Sequence, residues 1–212
     1  MIFKRKAIYR FLVLYYYDFY DLVIKVNKER YVFILYSVCY MRYIDKIKAF
    51  YPLEIGSDNK VLRAGWEEVT EFDDELEEFA EILMDLLWEY DGVWLAAPQI
   101  WRNIAVIWTT QWKKMPKGKN IDKDFLWETV LVNPKILEKS EEMQESEEAC
   151  LSLPDRQGYV ERHQWVVVEY QDLKGKKKQQ KYSWFNACII QHEVDHLNGI
   201  LFTDKLIRET KK

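Results

Sequence analysis

The chain has few of the residues that cross-link a backbone or constrain its turns. Among its 212 residues are 3 cysteines, 7 glycines and 5 prolines. The cysteines, Cys39, Cys150 and Cys188, are odd in number and show no paired spacing, which argues against a disulfide framework and favours a reducing compartment. No internal repeat or low-complexity linker is present. With 49% hydrophobic residues in this length, the expectation is one domain with a sizeable core.

The sequence also lacks a strong charge of one sign and a long apolar run. Its net charge of −4 provides no general attraction to nucleic acid, and no nucleic-acid site is evident. The apolar runs 11–17 and 31–41 are bounded by charged residues and are far shorter than the roughly 20 residues that span a bilayer. No small-residue cleavage site is evident after the basic residues near the start. We therefore expect no transmembrane segment and a cytoplasmic location.

Residues 1–47 form an extra N-terminal segment of unknown role, rich in Tyr, Phe, Ile and Val and free of Gly and Pro. Met41 would also serve as a start, so one interpretation is that the start was assigned too early. The other is an amphipathic helix that packs on the domain or on a membrane surface. Both interpretations leave residues 48–212 as the main domain.

Histidine is scarce as well, and its placement is the most informative feature of the chain. Two of the 3 histidines, His192 and His196, are four positions apart, with Glu193 beside the first. In a helix this spacing puts both rings on one face, which suits two ligands of one small cation. A bound ion makes a coordinated water more acidic, and the adjacent carboxylate can then shuttle the proton. The alternative is a solvated helix that carries these residues by chance.

The helix expected around these histidines, at about 185–198, supports the metal interpretation. Counting back along one face gives Ile189, Cys188 and Phe185, so the imidazoles continue an apolar stripe and should point into the core. Buried ring nitrogens need partners, and a metal ion provides one. Gly199 then ends the helix in the manner of a C′ glycine.

A third ligand is needed, and Cys150 is the favoured candidate. It lies in a short polar-to-apolar segment ended by Pro154, as expected of a strand or loop rim that faces a cleft. Cys188 is the alternative, one turn from His192. A ligand from a separate segment closes a tetrahedral site more easily, so we interpret Cys188 as a packing residue. Cys39 lies in an aromatic-rich stretch and is interpreted as structural.

A third short segment, residues 91–99, combines small residues with an amide. Gly92, Ala96 and Ala97 allow close approach of the backbone, and Gln99 offers an amide donor to a developing oxyanion. Taken alone this segment is a weak indication, because a tight helix-to-strand connection has the same composition.

Taken together, the three segments resemble the motifs of the peptide deformylase family, in the same order. The family's GxGLAAxQ, EGCLS and QHExDHLxG motifs correspond here to residues 92–99, 148–152 and 191–199. The resemblance covers roughly residues 48–206 and includes the weaker stretches 61–63 and 158–162. It implies an α+β fold in which antiparallel sheets pack around a metal-binding HExxH helix.

The resemblance further implies a metal centre. Cys150, His192 and His196 would hold one divalent ion, with water as the fourth ligand, and Glu193 would act as general base and then general acid. The family usually uses Fe²⁺, although Zn²⁺, Ni²⁺ or Co²⁺ can occupy the site. A thiolate with two imidazoles is compatible with each of these ions, so the sequence does not choose among them.

A substrate cleft is implied in the same way. Gln99 and the backbone N–H of Leu151 would stabilise the oxyanion, and the backbone at Val93 and Ala149 would pair with an extended substrate by strand addition. The implied reaction removes the formyl group from the N-terminal formyl-methionine of nascent proteins and releases formate. Formyl-methionyl nascent peptides would be its partners, with transient association with the ribosome, and the enzyme would be a monomer.

Two positions depart from the family's pattern. Ala149 stands where EGCLS has glycine, which matters only if the backbone there needs a positive φ. Trp94 replaces the second glycine of GxGLAAxQ at the cleft, where it would narrow the methionine pocket, form an aromatic wall or turn outward. Two alternatives therefore stay open: a deformylase-like binding protein whose cleft is altered by Trp94, and a zinc endopeptidase that relies on HExxH alone. The intact Gln99, Cys150 and Glu193 favour catalysis.

Outside the motifs, the sequence predicts conventional elements and one ion pair. The elements are an amphipathic helix at 73–90, strands at 104–109 and 129–132 with a basic loop at 113–123 between them, and a hairpin formed by 165–170 and 178–184. The ion pair joins Arg162 to Asp195 and would tie the metal helix to the neighbouring strand.

Overall fold

The computed structural model describes residues 41–112 and 125–210 of the chain. The chain divides into two units, Met1–Lys46 and Ile47–Lys212. In the first unit the described residues, 41–46, are helical. The second unit contains every strand and helix named below. Cys39 and the basic loop expected at 113–123 lie outside the described residues.

Helix α1, Asp74–Glu89, confirms the amphipathic helix expected at 73–90. Asp73 caps its N-terminus, because the carboxylate accepts a hydrogen bond from the backbone N–H of Leu76. Three acidic residues in the first turn complement the helix dipole. The apolar face is buried in a cluster that it shares with Leu95 and Val106.

The left-handed residue that ends α1 is Asp91, and Gly92 serves a different purpose. Asp91 has φ 52°, and its N–H donates to the carbonyl of Trp88 while the N–H of Gly92 donates to the carbonyl of Leu87. This pair of bonds is a Schellman motif with an aspartate at the position that usually holds glycine. Gly92 is needed for space, since a Cβ there would lie 2.6 Å from the side chain of Leu87.

Replacing Asp91 with glycine should stabilise the protein, because glycine adopts a positive φ without the steric cost that an L side chain carries. We expect Asp91→Gly to raise the free energy of unfolding by about 0.5 kcal/mol, net of the extra freedom of glycine in the unfolded chain. Denaturant unfolding would measure it. Gly92→Ala is the matched neighbouring control and should destabilise through its clash with Leu87. A lower free energy of unfolding for Asp91→Gly would contradict the claim that the positive φ strains Asp91.

Eight strands form two antiparallel sheets. The strands are β1 Trp94–Ala96, β2 Val106–Trp112, β3 Phe125–Lys139, β4 Met143–Cys150, β5 Leu153–His163, β6 Trp165–Gln171, β7 Lys177–Ser183 and β8 Leu206–Glu209. One sheet has the order β1-β2-β3-β6-β7 and the other the order β4-β5-β8. Both β1 and β4 are terminal strands, so within residues 41–112 and 125–210 each has one edge without a strand partner.

Antiparallel sheets with few helices agree with the expected fold class. The strands expected at 104–109 and 129–132 correspond to β2 and β3, which are both longer than predicted. The expected hairpin is present as β6 and β7, joined by the turn that contains Gly175. In the described part of the chain, no helix has both the length and the apolar composition needed to cross a bilayer.

The hairpin of β4 and β5 differs from the sequence expectation. Cys150 pairs with Leu153 across a two-residue turn, Leu151 and Ser152. The expectation that Pro154 ends the Cys150 segment is wrong, because Pro154 is the second residue of β5. The segment that carries Cys150 is therefore the end of a long paired strand, which fixes the direction of its side chain.

Helix α2, Phe185–Leu197, contacts β1, β2, β5 and β7, so it packs against strands of both sheets. Gly199 takes the C′ position with φ 69°, and its N–H donates to the carbonyl of His196. The predicted glycine stop is therefore confirmed. A Cβ at Gly199 would lie 2.7 Å from the carbonyl oxygen of Arg63, so the stretch 61–63 is held directly against the end of α2.

Strand β2 separates the two apolar clusters of the larger sheet. Because successive side chains of a strand point to opposite faces, Val106 joins the cluster around α1 and Ile107 joins the cluster around α2. Ile190 of α2 lies in the second cluster, with Val168 of β6. This packing holds the two motif histidines at a fixed position relative to β1 and β4.

Candidate metal centre

The structure brings Cys150, His192 and His196 together. One ligand atom from each lies within 4.8 Å of the others, and Cys150 Sγ is 3.2 Å from His196 Nε2. Both imidazoles are buried, as the apolar stripe predicts. The cysteine comes from the end of β4 and the histidines from α2, so the two parts of the cluster are held by separate elements.

The chemistry of this cluster fits a divalent transition-metal ion. His192 Nε2 is buried and has no hydrogen-bond partner among the residues that the structure describes. Burial opposes ionisation of the Cys150 thiol, but the neighbouring imidazoles of His196 and His192 outweigh it and hold its pKa well below the ordinary value. A thiolate and two imidazoles are a ligand set that iron, zinc, nickel and cobalt all accept.

Glu193 lies beside the cluster without joining it. Its side chain is 0% exposed, and neither carboxylate oxygen has a hydrogen-bond partner in the described part of the chain. Oε1 is 3.9 Å from His192 Nε2. Burial raises the pKa of Glu193 to about 7. A buried carboxyl group with this pKa can exchange a proton near neutral pH.

Gln99 presents its amide nitrogen to the same cluster. The short 3₁₀ helix Ala97–Ile100 carries it, and the backbone N–H of Ala96 donates to Gln99 Oε1 at 2.9 Å. This bond fixes the orientation of the amide, so Nε2 donates to Ser152 Oγ at 3.2 Å and lies 3.5 Å from Cys150 Sγ. The side chain is therefore a preoriented N–H donor beside the ligand cluster.

A buried ion network lies behind His192. Glu148 accepts hydrogen bonds from Arg162 Nε and Nη2 and from His192 Nδ1, each at 2.8 Å. Arg162 Nη1 also donates to Asp195 at 2.5 Å, which confirms the predicted ion pair. Burial opposes ionisation of Glu148, but the bonds from Arg162 and His192 outweigh it and lower its pKa to about 2. With Nδ1 donating to Glu148, His192 Nε2 is the nitrogen that faces the cluster.

Sequence reasoning gave Glu148 no role, although a signal for it was present. Glu148 and Cys150 are two positions apart, and β4 alternates buried and exposed residues along this stretch. Recognising a strand there would have placed both side chains on one face. The role of Gln191 was missed too: its amide exchanges hydrogen bonds of 3.0 and 2.9 Å with the backbone of His163 and so fastens α2 to β5.

Cys188 lies outside the cluster of three. Its Sγ accepts a hydrogen bond from Gln144 Nε2 at 3.3 Å, and burial raises the pKa of its thiol. The alternative in which Cys188 supplies the third ligand is therefore not supported by the arrangement of donor atoms.

A cavity of about 280 Å³ opens beside His192. It is bordered by β4 from Ser146 to Ala149, by α2 at Phe185, Cys188, Ile189 and His192, and by Trp94 and Gln157. The indole of Trp94 meets the ring of Phe185 edge-on at 5.8 Å and that of His192 at 6.3 Å. Trp94 therefore forms an aromatic wall of the cavity and does not turn outward.

The other residues expected at the substrate cleft border the same region. Ala149 lines the cavity and does not have a positive φ, so its methyl group adds no backbone strain. Leu151 lies in the turn directly after Cys150. The carbonyl of Val93 accepts hydrogen bonds from both the N–H and the hydroxyl of Thr110, at 3.1 and 2.6 Å. Both lone pairs of that carbonyl are thus used within the protein.

Removing the guanidinium from the ion network should destabilise the fold strongly. Arg162→Leu would leave Glu148 buried without a guanidinium partner and Asp195 with Lys205 alone, which costs about 3 kcal/mol of unfolding free energy. Denaturant unfolding of the two proteins measures this difference. Arg208→Leu is the matched control, because Arg208 makes a similar pair with Glu145 at the exposed surface and its loss should change stability little. If the two variants lost equal amounts of unfolding free energy, the buried network would not stabilise the fold more than a surface ion pair does.

Residues 53–212 match a family model described as polypeptide deformylase. Among curated proteins, the peptide deformylase of Finegoldia magna is 38% identical over 152 residues, which are 71% of this chain and 86% of the relative. The peptide deformylase of Chloroflexus aggregans is 35% identical over 164 residues, 76% of this chain and 87% of the relative.

The chain is also similar to solved structures of peptide deformylases. A class I type b peptide deformylase from Acinetobacter baumannii, with Met-Ala-Ser bound, has a TM-score of 0.67 and 36% identity, and covers 74% of this chain and 98% of its own. The peptide deformylase of Thermotoga maritima has a TM-score of 0.64 and 31% identity, and covers 75% of this chain and 99% of its own.

Proposed function

The chain belongs to the polypeptide deformylase family, and from this premise we propose how its own residues carry out the reaction. The protein is a metal-dependent hydrolase that removes the formyl group from the N-terminal formyl-methionine of nascent proteins and releases formate. Neither the binding-protein alternative nor the endopeptidase alternative is favoured, because the similarity covers most of the chain.

Cys150, His192 and His196 are the proposed metal ligands. This assignment is supported by the proximity of their donor atoms and by His192 Nε2, which has no hydrogen-bond partner in the part of the chain that the structure describes. The chemistry supplied by a bound divalent ion is Lewis-acid activation of water and of the formyl carbonyl. Fe²⁺ is the proposed ion, on the basis of the family's usual choice, and metal analysis of protein purified without oxygen tests it. Glu148 positions His192 by holding its Nδ1 proton.

Glu193 is the proposed general base and acid. Water adds to the formyl carbon while the Glu193 carboxylate takes a proton from that water. The same carboxyl group then delivers that proton to the amine as the carbon–nitrogen bond breaks, so formate and a free N-terminus result. Burial and the absence of any hydrogen-bond partner among the described residues support this role, since no structural bond has to break before the proton moves.

The oxyanion and the peptide are held by neighbouring groups. Gln99 Nε2 and the N–H of Leu151 are the proposed donors to the developing oxyanion, and the bond from Ala96 keeps the Gln99 amide correctly oriented. The peptide adds to the free edge of β4 at Ala149, and Val93 contributes its N–H, since its carbonyl is already used by Thr110.

The methionine side chain is proposed to occupy the cavity beside His192. Trp94 and Phe185 provide apolar walls there, and a flexible thioether packs well against aromatic edges. The Met-Ala-Ser bound to the Acinetobacter baumannii enzyme supports a peptide of this kind as the occupant. Trp94 is thus a substrate-binding residue in this proposal, although the family has glycine at the matching position.

The observation that carries the catalytic assignment is the buried Glu193 carboxylate beside the ligand cluster, which has no hydrogen-bond partner within residues 41–112 and 125–210. The test is formate release from formyl-Met-Ala-Ser by iron-loaded protein prepared without oxygen. Acetyl-Met-Ala-Ser is the matched control substrate, and no acetate should appear. A protein that binds the peptide but releases no formate when loaded with iron, nickel or zinc would support the binding-protein alternative instead.

Residues 48–212 are the proposed catalytic domain, with 1–47 as an extension that supplies no catalytic group. The family match begins at residue 53, and every candidate site residue lies after it. We expect deletion of residues 1–40 to leave a folded protein that binds metal and releases formate at an unchanged rate. Circular dichroism, metal analysis and the formate assay check this. A truncated protein that does not fold or loses its metal would move the domain boundary toward the first residue.

The proposed location and partners follow from the substrate. Formyl-methionyl chains emerge from ribosomes, so we propose that the enzyme acts in the cytoplasm and associates transiently with the ribosome. A monomer is the proposed state, because the proposed ligands and catalytic groups all come from one chain.

A further inference from the structure

Glu147 is an exposed carboxylate on β4 at the border of the cavity. The border has one other acidic residue, Glu148, which is held by Arg162 as described above. The residues that the structure describes provide no salt bridge to Glu147. Its carboxylate accepts only a long hydrogen bond of 3.4 Å, from the hydroxyl of Thr210. The cavity border includes no lysine or arginine, so the charge of Glu147 is not offset there.

Arg208 is a nearby cation, but it is engaged elsewhere. Tyr159 of β5 pairs with Glu147 across the hairpin, and the guanidinium of Arg208 lies over the Tyr159 ring at 3.9 Å from its centroid. Both Nη atoms of Arg208 donate to the carboxylate of Glu145, at 3.1 and 2.6 Å. Glu145 is therefore paired and does not border the cavity, whereas Glu147 borders it and has no cation within residues 41–112 and 125–210.

A peptide on the edge of β4 has to pass Glu147. The formyl group lies at the ligand cluster, and β4 ends there at Cys150. A peptide that follows the edge of β4 therefore runs from Cys150 back toward Met143, antiparallel to the strand. Its side chains alternate between the two faces of β4, the buried face of Glu148 and the exposed face of Glu147.

This alternation places the residue after methionine on the same face as Glu147. Methionine enters the cavity on the buried face, so the next residue lies on the exposed face, opposite either Ala149 or Glu147. Directly opposite side chains have Cβ atoms about 4.5–5.5 Å apart, and diagonal neighbours are about 7–8 Å apart, which long side chains span. A lysine or arginine therefore reaches the Glu147 carboxylate in both registers.

We infer that Glu147 makes the enzyme selective for nascent chains with lysine or arginine directly after the formyl-methionine, and selective against aspartate or glutamate there. This inference rests on the proposed function, in which methionine lies beside His192 and the peptide adds to β4. The pair is exposed, so attraction of a cation and repulsion of an anion should each change kcat/KM by about two- to threefold. A lysine peptide should then exceed a glutamate peptide by about fivefold.

The test compares kcat/KM for formyl-Met-Lys-Ser with that for formyl-Met-Glu-Ser, using the full chain loaded with iron without oxygen. The parent ratio should be about five. Glu147→Asp, which keeps the charge, should retain most of that preference, and Glu147→Lys should invert it. Glu161→Gln is the matched control, because Glu161 is also an exposed carboxylate of this sheet but lies on β5, opposite Glu145, and does not border the cavity. Its ratio should equal that of the parent.

Salt tests the same pair without any variant. Raising the ionic strength from about 0.05 to about 0.5 M should lower the parent ratio toward one, because exposed charges are screened. A parent ratio near one at low salt, a ratio that salt does not change, or an equal ratio for Glu147→Lys would overturn the selectivity. If neither peptide nor formyl-Met-Ala-Ser released formate with the parent protein, the proposed function would be overturned, and the selectivity with it.

Discussion

Glu193→Gln should lower the turnover of a formyl-methionyl peptide by about 10³-fold while leaving the bound metal nearly unchanged. Glutamine has the same shape as glutamate, so the fully buried site keeps its packing. The amide, however, cannot take a proton from the attacking water or return it to the leaving amine. Metal content is preserved because the cluster of donor atoms consists of Cys150, His192 and His196 and does not include Glu193.

Steady-state formate release and metal analysis on the same preparation measure the two effects together. Glu145→Gln is the control for removing a carboxylate, since Glu145 pairs with Arg208 at the surface and points away from the cleft. Loss of metal from Glu193→Gln would mean that Glu193 is itself a ligand. Retention of most of the turnover would place the general base on another residue.

The helices could be predicted from the sequence because their determinants are local. The apolar periodicity of α1 and its Asp73 cap lie within one short window, and so do the stripe and the Gly199 stop of α2. The ligand set could be predicted for a related reason. The His192–His196 spacing is a local pattern, and Cys150 was one of very few remaining soft donors.

The hairpin of β4 and β5 was not predicted because its stability is not local. Strand β4 is largely polar along its length, so no alternation of apolar and polar residues marks it as a strand. Its buried residues are satisfied by partners that are distant in sequence: Glu148 binds Arg162 and His192. A carboxylate with such partners cannot be told from a surface carboxylate until the pairing of strands is known.

Asp91, Trp94 and Trp184 are examples of positions that break a local rule, and the sequence alone does not show what the structure does at each of them. Asp91 and Trp184 occupy left-handed backbone where glycine is the expected residue, and Trp94 stands where the family has glycine. Asp91 ends helix α1, Trp184 directly precedes helix α2, and Trp94 borders the cavity beside His192. Trp94 is the one of these three that lines the cavity, and it therefore carries the proposal about the methionine side chain.

Cys150→Ser should abolish metal retention, with affinity falling by more than about 100-fold. Changes to groups behind the ligands already cost about 10- to 100-fold, and loss of a ligand costs more. The thiol of Cys150 ionises readily between its two imidazoles, whereas a serine hydroxyl stays protonated and is a poor donor to soft metals. Serine is nearly isosteric with cysteine, so the hairpin of β4 and β5 should remain folded and the loss should be specific to the metal.

Cys188→Ser provides the matched control within the same chain. Cys188 is also buried and also lies near His192 in sequence, but its sulfur accepts a hydrogen bond from Gln144 and stands outside the ligand cluster. A serine hydroxyl preserves that bond, so metal content after dialysis should equal that of the parent. If Cys188→Ser lost the metal while Cys150→Ser kept it, the third ligand would be Cys188, and the direction that β4 gives to the Cys150 side chain would have no part in the metal centre.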